Sequence, residues 1–214
     1  DIDAGDVKTA GGEAKGLKAP VFDLSAKVEL KPSPADRPRL SFILDADPED
    51  PAYDFDSAGS FYFKGEGLWD LAFERALVVV DGQDWRLKDP VRISSGRTGV
   101  SVDGLEMTHQ NSGVGISGVV YGPELDAFVS FYNFELDPWM EKVLPGRTVG
   151  GVASGSFTMK GPASSPGFVT EIGIERPRYL DTSLDRAETS VSYGSERLSF
   201  NLRGSSETSG EILA

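Results

Sequence analysis

The chain has 214 residues, with 34 acidic against 21 basic side chains and a formal charge of -13. That balance repels nucleic-acid phosphate and anionic headgroups, so neither a nucleic-acid partner nor charge-driven adsorption to an acidic membrane is expected. There is no cysteine, which excludes a disulfide framework, thiol catalysis and thiolate metal sites, and the longest apolar run, residues 76–80, is too short for a membrane-spanning helix.

Residues 1–20 carry four glycines among small and charged residues and give only weak strand signals around 2–4 and 7–9, so an irregular edge is expected there. From Phe22 to Leu30 apolar residues then fall at every second position, which puts them on one face of a strand and leaves the other to water. Pro32 and Pro34 break the pattern, as no central strand would tolerate them. Leu40, Phe42, Leu44 and Ala46 resume it, predicting a hairpin with a long loop.

The segment from Asp45 to Asp56 is the one acidic cluster. Asp45, Asp47, Glu49 and Asp56 place hard oxygen donors at positions that would suit Ca²⁺. The EF-hand pattern fails, however, with Asp50 where glycine is needed and Asp56 where a bidentate glutamate would sit. A solvated acidic turn is the expectation, and no metal or other cofactor is assigned.

Alternation continues through Tyr53, Phe55, Phe61 and Phe63, then Trp69, Leu71 and Phe73, the 76–80 run, and, after an Asp81-Gly82 turn signal, Trp85 and Leu87. Short strands follow at 91–93 and 100–102. After Asp103-Gly104 the apolar side resumes at Leu105 and Met107, a shift of phase that a bulge would produce. Val114 and Ile116, then Leu125, Ala127, Val129 and Phe131, extend the ladder.

One helix interrupts it near 137–145. Asp137 is expected as N-cap and Pro138 as the first helical residue, with Pro145 and Gly146 as the stop. Trp139 with Val143, and Met140 with Leu144, share a face by their spacing of four. A helix of two turns cannot stand alone in water, so that face must pack on the sheet or plug its end. The strand rhythm then returns in Phe157 and Met159, in Ile172 and Ile174, in Val191, and in Leu198, Phe200 and Leu202. The pattern at 212–214 stops within a strand, so the chain is expected to be a piece of a longer protein. The domain reading is a continuous β segment over 21–214, with two possible sub-segments meeting near 145–150.

His109, the sole histidine, is expected in a surface turn, and no G-x-S-x-G, Walker A, G-x-G-x-x-G or HExxH sequence occurs. No catalytic residue is therefore assigned and the chain is read as a non-enzyme. A glycoside-active carboxylate pair is the enzyme alternative, because spacing in sequence does not report distance in space. Against it, the aromatics fall in phase with the apolar stripe rather than on the solvent face.

From residue 85 onward the order of features resembles the TamB family, the translocation and assembly module proteins related to AsmA. The matching elements are WRL at 85–87, VSVDGL at 100–105, VGISG at 114–118 and NFEL at 133–136 leading into a short helix. VGGVASG at 149–155, MKG at 159–161 and LDRA at 184–187 follow in order. The resemblance implies an all-β fold, a curved antiparallel sheet of taco or half-pipe form with an apolar inner groove. It also implies a periplasmic location, with an inner-membrane anchor in a segment outside this chain. The implied activity is non-enzymatic movement of phospholipid or another acyl-chain lipid between inner and outer membrane. An alternative is templating of outer-membrane strands with a β-barrel partner of the Omp85/TamA type.

The residues themselves lead to a compatible expectation. A sheet with one apolar face must close, pack on a second sheet, or accept an apolar guest. The second solution would make a closed β-sandwich, a carbohydrate-binding or adhesion module. The third makes a groove, and a dozen strands at about 4.8 Å each would extend it roughly 50 Å. Its expected lining is Leu105, Met107, Val114, Ile116, Leu125, Ala127, Val129, Phe131, Phe157, Met159, Ile172, Ile174, Val191, Leu198, Phe200 and Leu202.

Overall fold

The computed structural model describes residues 22–31, 39–48, 53–144, 146, 148–180, 182–194, 197–206 and 210–213. The weak strand signals of residues 1–20 lie outside them, as does Glu49. The strands are β1 (Phe22–Lys31), β2 (Arg39–Pro48), β3 (Tyr53–Gly65), β4 (Leu68–Val80), β5 (Gln83–Leu87), β6 (Val91–Gly96) and β7 (Gly99–His109) in one compact unit, residues 1–109. A second unit, residues 110–214, holds β8 (Ser112–Tyr121), β9 (Glu124–Glu135), the helix α1 (Asp137–Val143), β10 (Val149–Pro162), β11 (Gly167–Tyr179), β12 (Thr182–Ser183), β13 (Arg186–Gly194), β14 (Arg197–Ser206) and β15 (Gly210–Leu213). The class is all-β, every pairing among the described strands is antiparallel, and one short helix interrupts the strands, as the alternation predicts.

The boundary between units falls at 109/110, not near 145–150. The physical reason is that β10 pairs along its length with both β9 and β11, so the helix between β9 and β10 is an excursion within one sheet and not a junction.

In the N-terminal unit β1 to β4 form a meander, and β5 and β6 lie end to end in the next lane. β5 pairs the 77–80 end of β4 and β6 pairs the 70–73 end, while both pair β7. Asp81 and Gly82 both take positive φ, +57° and +73°, the geometry of a two-residue hairpin turn matched to strand twist. Register then carries the phase. Ile93 faces Val102 and Leu87 faces Met107, so Val102, Leu105 and Met107 share a face only because the chain gains a residue at Asp103-Gly104. A comparable irregularity between Phe73 and Arg75 in β4 keeps Phe73 on the same side as Ala76 and Val78. Trp85, Val91 and Val102 are buried on this face.

The reverse face of this unit holds a buried charge. Asp70 is 5% exposed, with the Lys64 ammonium 2.5 Å and the Arg92 guanidinium 3.9 Å from its carboxylate. Burial pushes its pKa up, but hydrogen bonds from Lys64 and Ser94 and attraction to Lys64 and Arg92 outweigh it and hold the carboxyl below its ordinary value.

Candidate functional site: an open apolar face

In the C-terminal unit the strands run in the order β8, β9, β10, β11, β13, β14, β15. Directly paired residues of neighbouring strands point to the same side, so register converts the alternation into rungs across the sheet. One rung is Val114, Phe131, Gly155, Ile172, Thr189 and Leu202. The next is Ile116, Val129, Phe157, Thr170, Val191 and Phe200, and a third is Gly118, Ala127, Met159, Phe168, Tyr193 and Leu198. A fourth, nearest the helix, is Phe134, Ala153, Ile174, Ala187 and Gly204. No rung contains a charged residue.

All of the expected lining residues from Val114 onward thus lie on one face, with Leu125 at its margin opposite Gly161. Leu105 and Met107 belong to the other unit, on the side of Leu87 and Val102. The sequence reading missed Phe134, Phe168 and Tyr193. Phe168 and Tyr193 carry the same period as Ile172 and Val191 and were findable from it. Phe134 was not, because it follows Phe131 by three positions. The register slips between Phe131 and Phe134, with Asn133 at φ +49°, and this restores Phe134 to the apolar side.

The face is uncovered toward β14. Leu198 is 67%, Phe200 62% and Leu202 39% exposed. A second sheet packed on them would bury such side chains almost completely, so the unit does not have the closed core of a sandwich there. Phe157, Phe168 and Tyr193 stack in a row, centroids 5.7 Å apart at each step. Their ring faces are turned to one another, which is the wrong presentation for a flat sugar-stacking platform.

The helix sits at one margin of this face. Its N-cap is Leu136 rather than Asp137, and no side chain caps it. The Asp137 carboxylate is engaged elsewhere: it accepts the Gly151 N–H at 3.1 Å and pairs with the Arg178 guanidinium. Trp139 stacks on Phe134, centroids 5.6 Å apart, and Phe134 meets Phe131 edge-on at 6.5 Å. Trp139 and Met140 are half-buried, whereas Leu144, at the C-cap, is 39% exposed. The side chain of Val143 lies outside the described residues.

The opposite face is mainly polar, with Phe128 and Val169 exposed among serines, threonines and charged residues, and a depression of this unit lies mainly on it. Its volume is about 650 Å³, with Ser154, Ser156, Glu171, Glu188, Asn201 and Arg203 in the lining. Arg186 pairs with Glu188 at 2.8 Å, and both are exposed.

No family model, no curated protein and no solved structure matches the chain.

Two other sequence candidates are placed by the structure. Asp45 and Asp56 stand directly opposite each other on β2 and β3 rather than in a turn, and Asp56 pairs with Arg75 at 3.2 Å. Among the described residues no three carboxylate or imidazole side chains gather into a cation site. His109 ends β7, but its imidazole is only 16% exposed, tilted against Trp85 with centroids 5.7 Å apart. Nδ1 lies 2.9 Å from the Asp84 carbonyl and 3.1 Å from its carboxylate, so the side chain is held in the unit and is not in a free surface turn. A hydrogen bond from Arg86 holds the Asp84 carboxyl below its ordinary range, against a smaller upward push from burial.

Proposed function

We propose that the apolar face of the C-terminal unit shelters the acyl chains of a lipid, as part of a TamB/AsmA-like envelope protein working in the periplasm. In this reading the chain carries phospholipid between inner and outer membrane without chemistry, alongside a β-barrel partner in the outer membrane. An inner-membrane anchor would lie outside this chain; among the described residues no helix is long and apolar enough to cross a membrane.

The observation that carries the reading is the charge-free run of rungs that opens to solvent at its β14 end, at Leu198, Phe200 and Leu202. An apolar surface left in water costs roughly 25 cal/mol per Å² relative to burial, so an occupant is favoured. A strip of aliphatic and aromatic groups suits a featureless hydrocarbon, since a protein partner is normally oriented by polar groups at the rim of its interface. The net charge of -13 argues against an acidic membrane surface as the occupant and for lipid taken up as a molecule.

The test is photo-crosslinking to phospholipid carrying a photoreactive acyl chain. Val129→Asp and Phe131→Asp should abolish crosslinking, while Ser130→Asp, on the opposite face, should leave it intact. Equal crosslinking in all three variants would reject the site.

A further inference from the structure

We infer that α1 is a fixed border of the apolar face, with Asp137 and Arg178 the positioning residues that hold it. An occupant is thereby confined to the three rungs that end at Leu202, Phe200 and Leu198. This rests on the reading that the face takes an acyl chain.

A seven-residue helix has almost no stability of its own, so its place is set by what it is tied to. The ties converge on a small area. Gly151, at φ +131°, donates its N–H to Asp137 and accepts the N–H of Leu136 at 2.9 Å, so one residue of β10 grips the helix entrance from both sides. Arg178 reaches the same carboxylate from β11, one strand further along, so the β9–β10 excursion is strapped across its neighbour. Gly150 makes room for this: a Cβ there would lie 2.5–2.6 Å from the Asp137 carboxylate. Trp139 on Phe134 completes the seat. On β14 alone the face closes toward the helix end, from 67% exposed at Leu198 through 62% at Phe200 and 39% at Leu202 to a buried Gly204 in the fourth rung. On the inner strands Ala153 of that rung is 3% exposed and Ala127 of the third 4%.

The chain has no cysteine, which permits a direct test. Single cysteines at Ala153 and Val129 are reacted with a maleimide in the otherwise parental chain and in Asp137→Ala and Arg178→Gln backgrounds, folding being checked by circular dichroism. In the parent, Ala153→Cys should label at least about tenfold more slowly than Val129→Cys. Loss of charged hydrogen bonds at the strap should speed labelling at Ala153 about tenfold, and Arg178→Lys should largely restore the slow rate. Phosphatidylcholine should protect Val129→Cys in every background and Ala153→Cys only where the strap is broken.

Fast labelling of Ala153→Cys in the parent, or unchanged slow labelling in both strap variants, would overturn the border. Lipid that protects neither cysteine would instead overturn acyl-chain binding, whatever the labelling rates show of the helix.

Discussion

Phe131 stands directly opposite Gly155, and its ring comes within 3.0 Å of where a Cβ on Gly155 would lie. The aromatic thus fills the space the glycine leaves, and the Glu171 carbonyl oxygen crowds the same point from β11. Gly155→Val should therefore lower stability by about 1–3 kcal/mol through overpacking against backbone that cannot yield. Gly194→Ala, with no atom within 4 Å of the new Cβ, should change it by less than about 0.5 kcal/mol. Urea denaturation midpoints at matched slopes decide this.

The buried Asp70 carboxylate makes stability depend on pH in a defined direction. Its folded pKa is below the ordinary 3.8, so the unfolded chain binds more protons as pH falls through that value. Stability from this group is fully present above about pH 4 to 5 and is lost downward from there, through the lowered folded pKa. Asp70→Asn should flatten the acid limb of a plot of melting temperature against pH. An acid limb of unchanged steepness in the variant would mean that another carboxylate governs it. At pH 7, Asp70→Ala should cost about 1–3 kcal/mol, less than for a fully buried pair because Lys64 is partly exposed and rehydrates.

His109 ties β7 to β5 through Asp84 and packs on Trp85. Replacing it with phenylalanine keeps a ring against Trp85 but removes the hydrogen bonds to Asp84. The expected loss is about 1 kcal/mol in thermal unfolding, with a larger loss for His109→Ala, which also gives up the ring contact.

The period of two was enough to place most of the apolar face, because alternation and pairing agree wherever strands run without interruption. Bulges divide into two kinds. The one at Asp103-Gly104 could be read in advance since glycine and aspartate announce a turn, whereas those near Asn133 and between Phe73 and Arg75 depend on how two distant strands fall into register. The helix was visible from Asp137-Pro138 and its spacing. Its cap was not, since the carboxylate that would have served it is drawn away by Gly151 and Arg178, 14 and 41 residues on. The 109/110 boundary was hidden for a similar reason: the turn at Gln110 and Asn111 looks locally like any other hairpin turn.

Mass spectrometry of lipid extracted from the purified chain, after exposure to excess phospholipid vesicles and re-isolation, tests acyl-chain binding most directly. An open acyl-chain site predicts phospholipid retained by the parent and by Ser130→Asp, and lost from a Val129→Asp, Phe200→Asp double variant. No lipid on the parent, or equal lipid on the double variant, would contradict it.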